Sequence, residues 1–310
     1  MRVFTHPACL EHRPGAGHPE CPARLEAVIQ ALRSSLPELE WLEAPRAAHD
    51  ALARVHSPGL IETVLDSEFG ESLRLDADTV MSPGSPEAAL RAAGAGIAAV
   101  DAVMRDPGKP VFCAVRPPGH HATATTAMGF CLFNAVAVAA AHALHAHGLQ
   151  RVAIADFDVH HGNGTQAIFE HDSRVLYVSS HQWPLYPQTG ASEETGVGNI
   201  VNAPLPARSD GRAFREAWQN RLLPAIDRFQ PQLLLVSAGF DGHRLDPLAD
   251  LDLEADDFRW LSAELATLAA DCAGGRLVSL LEGGYSLTAL RECSVAHLLG
   301  LMDRSPARTG

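Results

Sequence analysis

Arg151-Val152-Ala153-Ile154-Ala155-Asp156-Phe157-Asp158-Val159-His160-His161-Gly162 is the stretch that decides how this chain is read. An apolar segment of strand character gives way abruptly to carboxylates and imidazoles, where a strand should end. In extended backbone the side chains alternate between faces, so Asp156, Asp158 and His160 project to one side while Phe157 and Val159 go to the other. One carboxylate and one imidazole two residues apart can then grip a single ion. Oxygen and nitrogen donors without thiolate suit Zn²⁺, and Fe²⁺, Co²⁺ or Mn²⁺ fit the same set. A lone Asp-x-His is more often a solvated loop, so the rest of the chain has to decide.

Working outward, Val111 to Val115, Val175 to Ser179, Leu233 to Ser237 and Leu277 to Leu281 read as further buried strands. Helical patterns lie between them at about 86 to 104, 131 to 147, 212 to 229, 255 to 273 and 286 to 301, and a Pro/Gly-rich loop from residue 14 leads into a helix from Ala23. The alternation predicts an α/β fold with a central parallel sheet and helices on both faces. Segments 67 to 85, 181 to 211 and 239 to 254 are expected to be irregular loops near an active site. Neither repeat, linker nor composition break divides the chain, which predicts a single domain over 1–310.

Composition narrows the function classes. With 46% apolar residues the chain can build a large core. Its 24 Lys and Arg against 37 Asp and Glu give a net charge of −13, with no basic block, which argues against direct binding to nucleic acid. The six cysteines, at 9, 21, 113, 131, 272 and 293, form no Cys-x-x-Cys pair and lie mostly in apolar segments, as in a reduced, cytoplasmic protein. Met1 to Pro7 lacks a hydrophobic signal core, and the alanine-rich runs at 92 to 103 and 135 to 146 are too short or too interrupted by histidine to span a bilayer. A protein without membrane association is expected, and its oligomeric state is left open.

Polar residues recur where the strands should end. Arg116-Pro117-Pro118-Gly119-His120-His121 follows the first of these strands, Ser179-Ser180-His181 the third, Ala238-Gly239-Phe240-Asp241-Gly242-His243 the fourth and Glu282-Gly283-Gly284-Tyr285 the fifth. In open parallel sheets ligands bind outside the carboxyl ends of the strands, so five such clusters predict one pocket. A catalytic metal typically takes three protein ligands and keeps one position open, and Asp158, His160 and Asp241 supply that set. His120 and His121 offer nitrogens of near-neutral pKa for moving a proton. Tyr285, behind two glycines, can donate its hydroxyl to an oxyanion. Asp156 and Asn163 are natural acceptors to orient the two histidines.

These residues resemble, in order and across nearly the whole chain, the histone deacetylase superfamily of zinc-dependent amidohydrolases. The likeness runs through His18-Pro19-Glu20-x-Pro22-x-Arg24-Leu25, Ser82-Pro83-Gly84-Ser85, the Arg116 to His121 run, Gly129-Phe130-Cys131-x-Phe133-Asn134, Asp156 to Gly164, Ala238 to Asp241 with Asp246-Pro247-Leu248, and Glu282 to Tyr285. The resemblance implies an arginase/deacetylase-type fold with one Zn²⁺ per chain on Asp158, His160 and Asp241. It implies His121 as general base and then acid, His120 paired with Asp156 as an electrostatic aid, and Tyr285 as the group that polarises the amide carbonyl. Asn163, where some members carry Asp, looks like the class II branch. Gly129, Phe130, Tyr186 and Leu248 match the substrate tunnel, with Phe130 and Tyr186 as its aromatic walls. A structural K⁺ is implied at Asp156, Ser179 and the backbone carbonyls of Asp158 and His160, and a second around Phe169, Asp172, Val175 and Asn199. Asp76 or Asp78 is the candidate to hold the substrate backbone.

The implied substrate is an acyl-lysine on a protein or peptide. Acetylated polyamines are the alternative, but Leu248 stands where a polyamine-selective relative carries Glu. An arginase-like pair of Mn²⁺ ions would need more bridging carboxylates than Asp241-Gly242-His243 offers. A metal-bound sensor without activity would not be expected to keep ligands, proton carrier and Tyr285 together.

Overall fold

The computed structural model describes residues 1–68 and 70–303, so the far end of the expected 1–310 domain lies outside the described residues. Strands follow the chain as β1 (Arg2–Thr5), β2 (Glu40–Glu43), β3 (Leu73–Arg74), β4 (Val80–Met81), β5 (Val111–Cys113), β6 (Val152–Asp156), β7 (Val175–Gln182), β8 (Ile200–Leu205), β9 (Leu233–Ala238) and β10 (Leu277–Leu281). Helices are α1 (Pro22–Ser35), α2 (His49–Leu52), α3 (Pro58–Leu65), α4 (Ser85–Arg105), α5 (Ala135–Ala146), α6 (Asn163–Phe169), α7 (Gly211–Ala217), α8 (Leu223–Phe229), α9 (Ala255–Ala273) and α10 (Leu287–Met302).

Eight of the strands form one sheet in the order β2-β1-β5-β10-β9-β6-β7-β8. Every pairing in it is parallel. The inner strands are buried along their whole length, as helices on both faces require. One layer has α4 and α5 packed on each other and on β1, β5, β10, β6 and β9; in the other, α8 and α9 lie on β7, β9 and β10, and α10 joins α9 to α1. Strand order matters for function. The chain passes from β5 to β6 across two empty places that β9 and β10 later fill, so β5, β10, β9 and β6 stand side by side. The loops after these four central strands meet at the carboxyl edge, where the order reverses.

Beneath that edge lies an aromatic floor. Phe157 follows β6 and Phe240 follows β9; their rings are 5.9 Å apart, and both pack on Phe258 of α9 at 5.8 and 5.5 Å. All three are buried, and each contributes roughly 1.5–3 kcal/mol by leaving water. The alternation expected after Asp156 is therefore realised: Phe157 and Val159 anchor the loop in the core while Asp158 and His160 face the other way.

The structure corrects several expected boundaries. β1 and β2 were not anticipated, because four residues with charged or polar ends carry too little periodicity to register. The 181 to 211 segment is not all loop: β7 continues to Gln182, and Ile200–Leu205 forms β8. Pro204 and Asn202 obscure that strand in sequence, and it tolerates them because it lies at the sheet's edge. The expected helix over 212 to 229 comes in three pieces, with a wide turn at Trp218–Leu222 just before Pro224, which has no backbone N–H to continue the ladder. The 131 to 147 helix starts only at Ala135, where the Asn134 side chain caps it by accepting from Ala137 N at 3.0 Å. Within 67 to 85, β3 and β4 pair as a short antiparallel ladder.

Candidate metal centre and active site

Asp158 and His160 reach the carboxyl edge from the loop after β6, and Asp241 from the loop after β9. One donor atom from each lies within 4.8 Å of the others. His160 Nδ1 stands 3.1 Å from Asp158 Oδ1 and 3.2 Å from Asp241 Oδ2. Each carboxylate has its second oxygen pinned by backbone: Gly283 N donates to Asp158 Oδ2 at 2.8 Å, and Val159 N to Asp241 Oδ1 at 2.9 Å. The remaining oxygens are thereby turned to a common point. Both acids are buried. Burial and the nearby Asp158 push Asp241 up to about 7, the mark of two carboxylates crowded without enough positive charge. A divalent cation at that point would relieve the conflict, and a set of two carboxylates and one imidazole fits Zn²⁺.

The backbone around the site is equally constrained. A Cβ added to Gly283 would sit 2.0 Å from Asp241 Oδ2 and 2.6 Å from Asp158 Oδ2, so only glycine allows the strand end to pass there. Gly129, at φ +56°, lies under the His121 ring, and its Cβ would meet Cδ2 of that ring at 2.5 Å.

His120 and His121 follow β5 with ring centroids 4.1 Å apart and planes tilted by 46°, yet their environments differ. His120 Nδ1 is 3.0 Å from Asp156 Oδ2. Burial opposes charge on His120, but Asp158 and Asp156 outweigh it and raise the ring to about 10. His121 Nδ1 is 2.8 Å from Asn163 Oδ1. An amide oxygen can only accept, so the proton sits on Nδ1 and the Nε2 lone pair is free. Burial, then the His120 and His160 rings, push His121 well below the ordinary imidazole value. One ring is thus held charged and the other neutral.

Tyr285 follows β10. Burial is the main force raising its phenol well above 10, with Arg24 opposing and Asp241 and Asp158 adding, so it keeps its proton at neutral pH. Arg24 lies 4.8 Å from the Tyr285 ring centroid. Phe130 packs 5.7 Å from Tyr285, and Tyr186 packs 5.2 Å from His121 and 6.4 Å from His160, so both aromatics predicted as walls border the cluster. Phe130 adopts φ +66°, a left-handed conformation rare for a bulky residue, with its N–H donating to Thr79 Oγ1 at 3.0 Å. Leu248 is half-buried on the 246 to 248 turn, where its N–H donates to Asp246 Oδ1.

Other predicted residues fall as follows. Asp156 and Ser179 are partners in the β6–β7 register. The carbonyls of Phe169, Asp172 and Val175 all accept from the Asn199 amide, at 2.7, 3.1 and 2.8 Å. Asp76 accepts from the N–H groups of Asp78 and Thr79, while the Asp78 carbonyl meets His18 Nε2 at 3.0 Å. His243 turns away from the cluster, with Nε2 3.6 Å from Glu254.

Four supporting residues were given no role from sequence. Glu282 Oε2 accepts from Gly119 N at 2.6 Å and His120 N at 3.1 Å, fixing the turn that aims both histidines. Asp246 Oδ2 accepts from Tyr285 N at 2.7 Å and Ser286 N at 3.3 Å. Tyr177 donates to Asp156 Oδ2 at 3.0 Å. Arg24 donates to the Gly284 and Glu282 carbonyls. Glu282, Asp246 and Arg24 sit inside motifs already quoted, which was their only signal. Tyr177, inside an apolar strand, gave none.

A parallel sheet with such a donor set at its central switch point defines a hydrolase of the arginase/deacetylase fold. The histone deacetylase domain model matches residues 18–301, and the chain belongs to that family. It is 41% identical to the histone deacetylase-like amidohydrolase of Pseudomonas aeruginosa over 291 residues, covering 91% of this chain and 76% of that protein. It is 38% identical to the chloroplastic histone deacetylase 14 of Arabidopsis thaliana, covering 93% of this chain and 73% of the other. Among solved structures, the HDA15 HD domain superposes with a TM-score of 0.91 at 34% identity, covering 97% of this chain and 91% of that one. Membership makes this chain a hydrolytic deacetylase, for which zinc dependence is expected. Among the described residues no helix is long and apolar enough to cross a membrane.

Proposed function

We propose that the chain, read as a single domain over 1–310, removes acetyl or other acyl groups from the side-chain amine of acyl-lysine in proteins or peptides. The observation that carries this reading is the convergence of Asp158, His160 and Asp241 beside a neutral His121 and a protonated Tyr285. Asp158, His160 and Asp241 would hold Zn²⁺, which supplies Lewis acidity to the amide carbonyl and acidifies water. His121 Nε2 takes the proton as the water oxygen bonds to the amide carbon, and the carbonyl oxygen gains negative charge. Tyr285 meets that charge with its O–H. His121 then gives its proton to the amine nitrogen as the carbon–nitrogen bond breaks, releasing lysine and a carboxylate. His120, held charged against Asp156, steadies the developing negative charge without exchanging protons. Asn163 keeps His121 in the required tautomer.

Phe130 and Tyr186 suit the methylene chain of lysine, and apolar Leu248 favours a peptide over an acetylated polyamine. A structural K⁺ at Asp156, Ser179 and the carbonyls of Asp158 and His160 belongs to the same proposal. Six free thiols support a reducing, cytoplasmic setting.

Turnover of an acetyl-lysine peptide and of N-acetylputrescine on zinc-loaded protein tests the reading. Tyr285→Phe should lose about 10²- to 10³-fold in rate, and His121→Ala most of the activity, with unchanged circular dichroism. Near wild-type turnover in both variants would overturn the assigned roles, and faster turnover of N-acetylputrescine would overturn the substrate.

A further inference from the structure

Asp101, His142 and His147 form a second convergence of metal-binding groups that the reaction does not use. Asp101 lies on α4, His142 on α5, and His147 is the residue that closes α5. Both imidazoles turn Nε2 onto one atom: His142 Nε2 and His147 Nε2 are each 2.8 Å from Asp101 Oδ1. Their rings are 5.5 Å apart and nearly perpendicular, at 82°. All three donor atoms lie within 4.8 Å of one another.

A tetrahedral Zn²⁺ with ligand bonds of about 2.0–2.1 Å separates neighbouring donors by roughly 3.3 Å. Each nitrogen–oxygen pair would therefore open by only about half an ångström to admit the ion. Hydrogen bonds from both rings outweigh the effect of burial and keep Asp101 below the usual carboxylate range, so the oxygen is already ionised. Two imidazoles and a carboxylate, with the remaining positions open to water, suit Zn²⁺, Ni²⁺ or Cu²⁺. A cation is also favoured where a helix ends, as α5 does here.

The ends of α4 and α5 lead into β5 and β6, which places this cluster at the amino edge of the sheet. The Asp158 centre is at the carboxyl edge, at the other end of β6, a strand of five residues or about 17 Å. No ion could bridge the two, so a second metal here is distinct from a binuclear catalytic centre. One neighbour works against loading. Arg54 Nη1 lies 3.5 Å from His142 Nδ1, and its Nη2 3.5 Å from Asp50 Oδ2. Metal on Nε2 leaves a proton on Nδ1, so Arg54 must release the ring and stay with Asp50.

We propose that Asp101, His142 and His147 constitute a second, non-catalytic divalent-metal site that clamps the ends of α4 and α5 together. Chelator-stripped protein is dialysed against about 10 µM free Zn²⁺, and metal per chain is counted by mass spectrometry. Two equivalents are expected in the wild type and one in Asp101→Ala and in His147→Ala, both with unchanged turnover. Asp158→Ala should keep one equivalent, so the count remains readable even if the catalytic proposal fails. Arg54→Ala should tighten the second equivalent about fivefold. No equivalent bound by Asp158→Ala, or a count in Asp101→Ala equal to that of the wild type, would overturn the site.

Discussion

His297 makes the aromatic floor beneath the metal loops sensitive to acid. Its ring is buried, with Nδ1 2.6 Å from Ser262 Oγ and Nε2 2.8 Å from Ser279 Oγ. Phe157 and Phe240 pack on it at 5.6 and 5.7 Å. Among the described residues no carboxylate acts on it, and burial alone lowers its pKa from 6.5 to about 3. The folded value is depressed, so between those limits the unfolded chain binds a proton that the folded chain refuses, and stability falls as pH falls through that window. Near pH 5 the unfolded state has gained about 2 kcal/mol, at 1.36 kcal/mol per pH unit. Spread over an unfolding entropy of about 2.1 cal/mol/K per residue, this lowers Tm by about 3 °C for a chain of this length. His297→Gln keeps a group able to bond both serines and removes the titration. Urea unfolding of wild type and variant near pH 7 and near pH 5 isolates the effect, because the other buried histidines cancel in the comparison. The wild type should lose about 2 kcal/mol more than the variant. Unfolding free energies that fall in parallel would refute the reasoning.

Gly283→Ala should weaken zinc binding by about 10- to 100-fold while the fold survives, since the added methyl strikes both carboxylates of the proposed metal site; calorimetric titration of stripped protein checks this, and unchanged affinity would count against the proposed ligands. Glu20 is buried and binds Arg116 Nη2 at 2.6 Å and Arg24 Nη1 at 2.9 Å. Removing its charge strands two buried guanidiniums, so Glu20→Gln should lose about 3–5 kcal/mol, read as a Tm lower by about 5–8 °C. Leu248→Glu adds a negative charge on the turn that Asp246 ties to Tyr285, and should shift relative turnover toward N-acetylputrescine by about fivefold, or ~1 kcal/mol; an unchanged ratio would separate this turn from substrate choice.

Much of the site was legible because chemistry and periodicity coincide in it. Asp158 and His160 stand out against an apolar run, and their alternation with Phe157 and Val159 survives in the folded loop. Asp241, His121 and Tyr285 are likewise polar residues just beyond apolar strands. What escaped notice acts through backbone or through pairing. Gly283 serves by its N–H and its missing Cβ, Glu282 by accepting from two amides, and Tyr177 by a hydroxyl carried on an otherwise apolar strand. The outer strands β1, β2 and β8 were missed for a related reason: they are short or interrupted by polar residues and proline, and strand pairing, rather than local pattern, defines them.

The position of β10 bears on how the chain is made. The last strand of this sheet to leave the ribosome is a central one, lodged between β5 and β9. Until residues 277 to 283 emerge, the growing chain has two half-sheets with raw inner edges and no Gly283 amide to fix Asp158. Such edges are templates for pairing with other chains. The proposed metal site therefore closes only when the sheet does, and a product cut short before Leu277 should aggregate rather than persist as an empty enzyme.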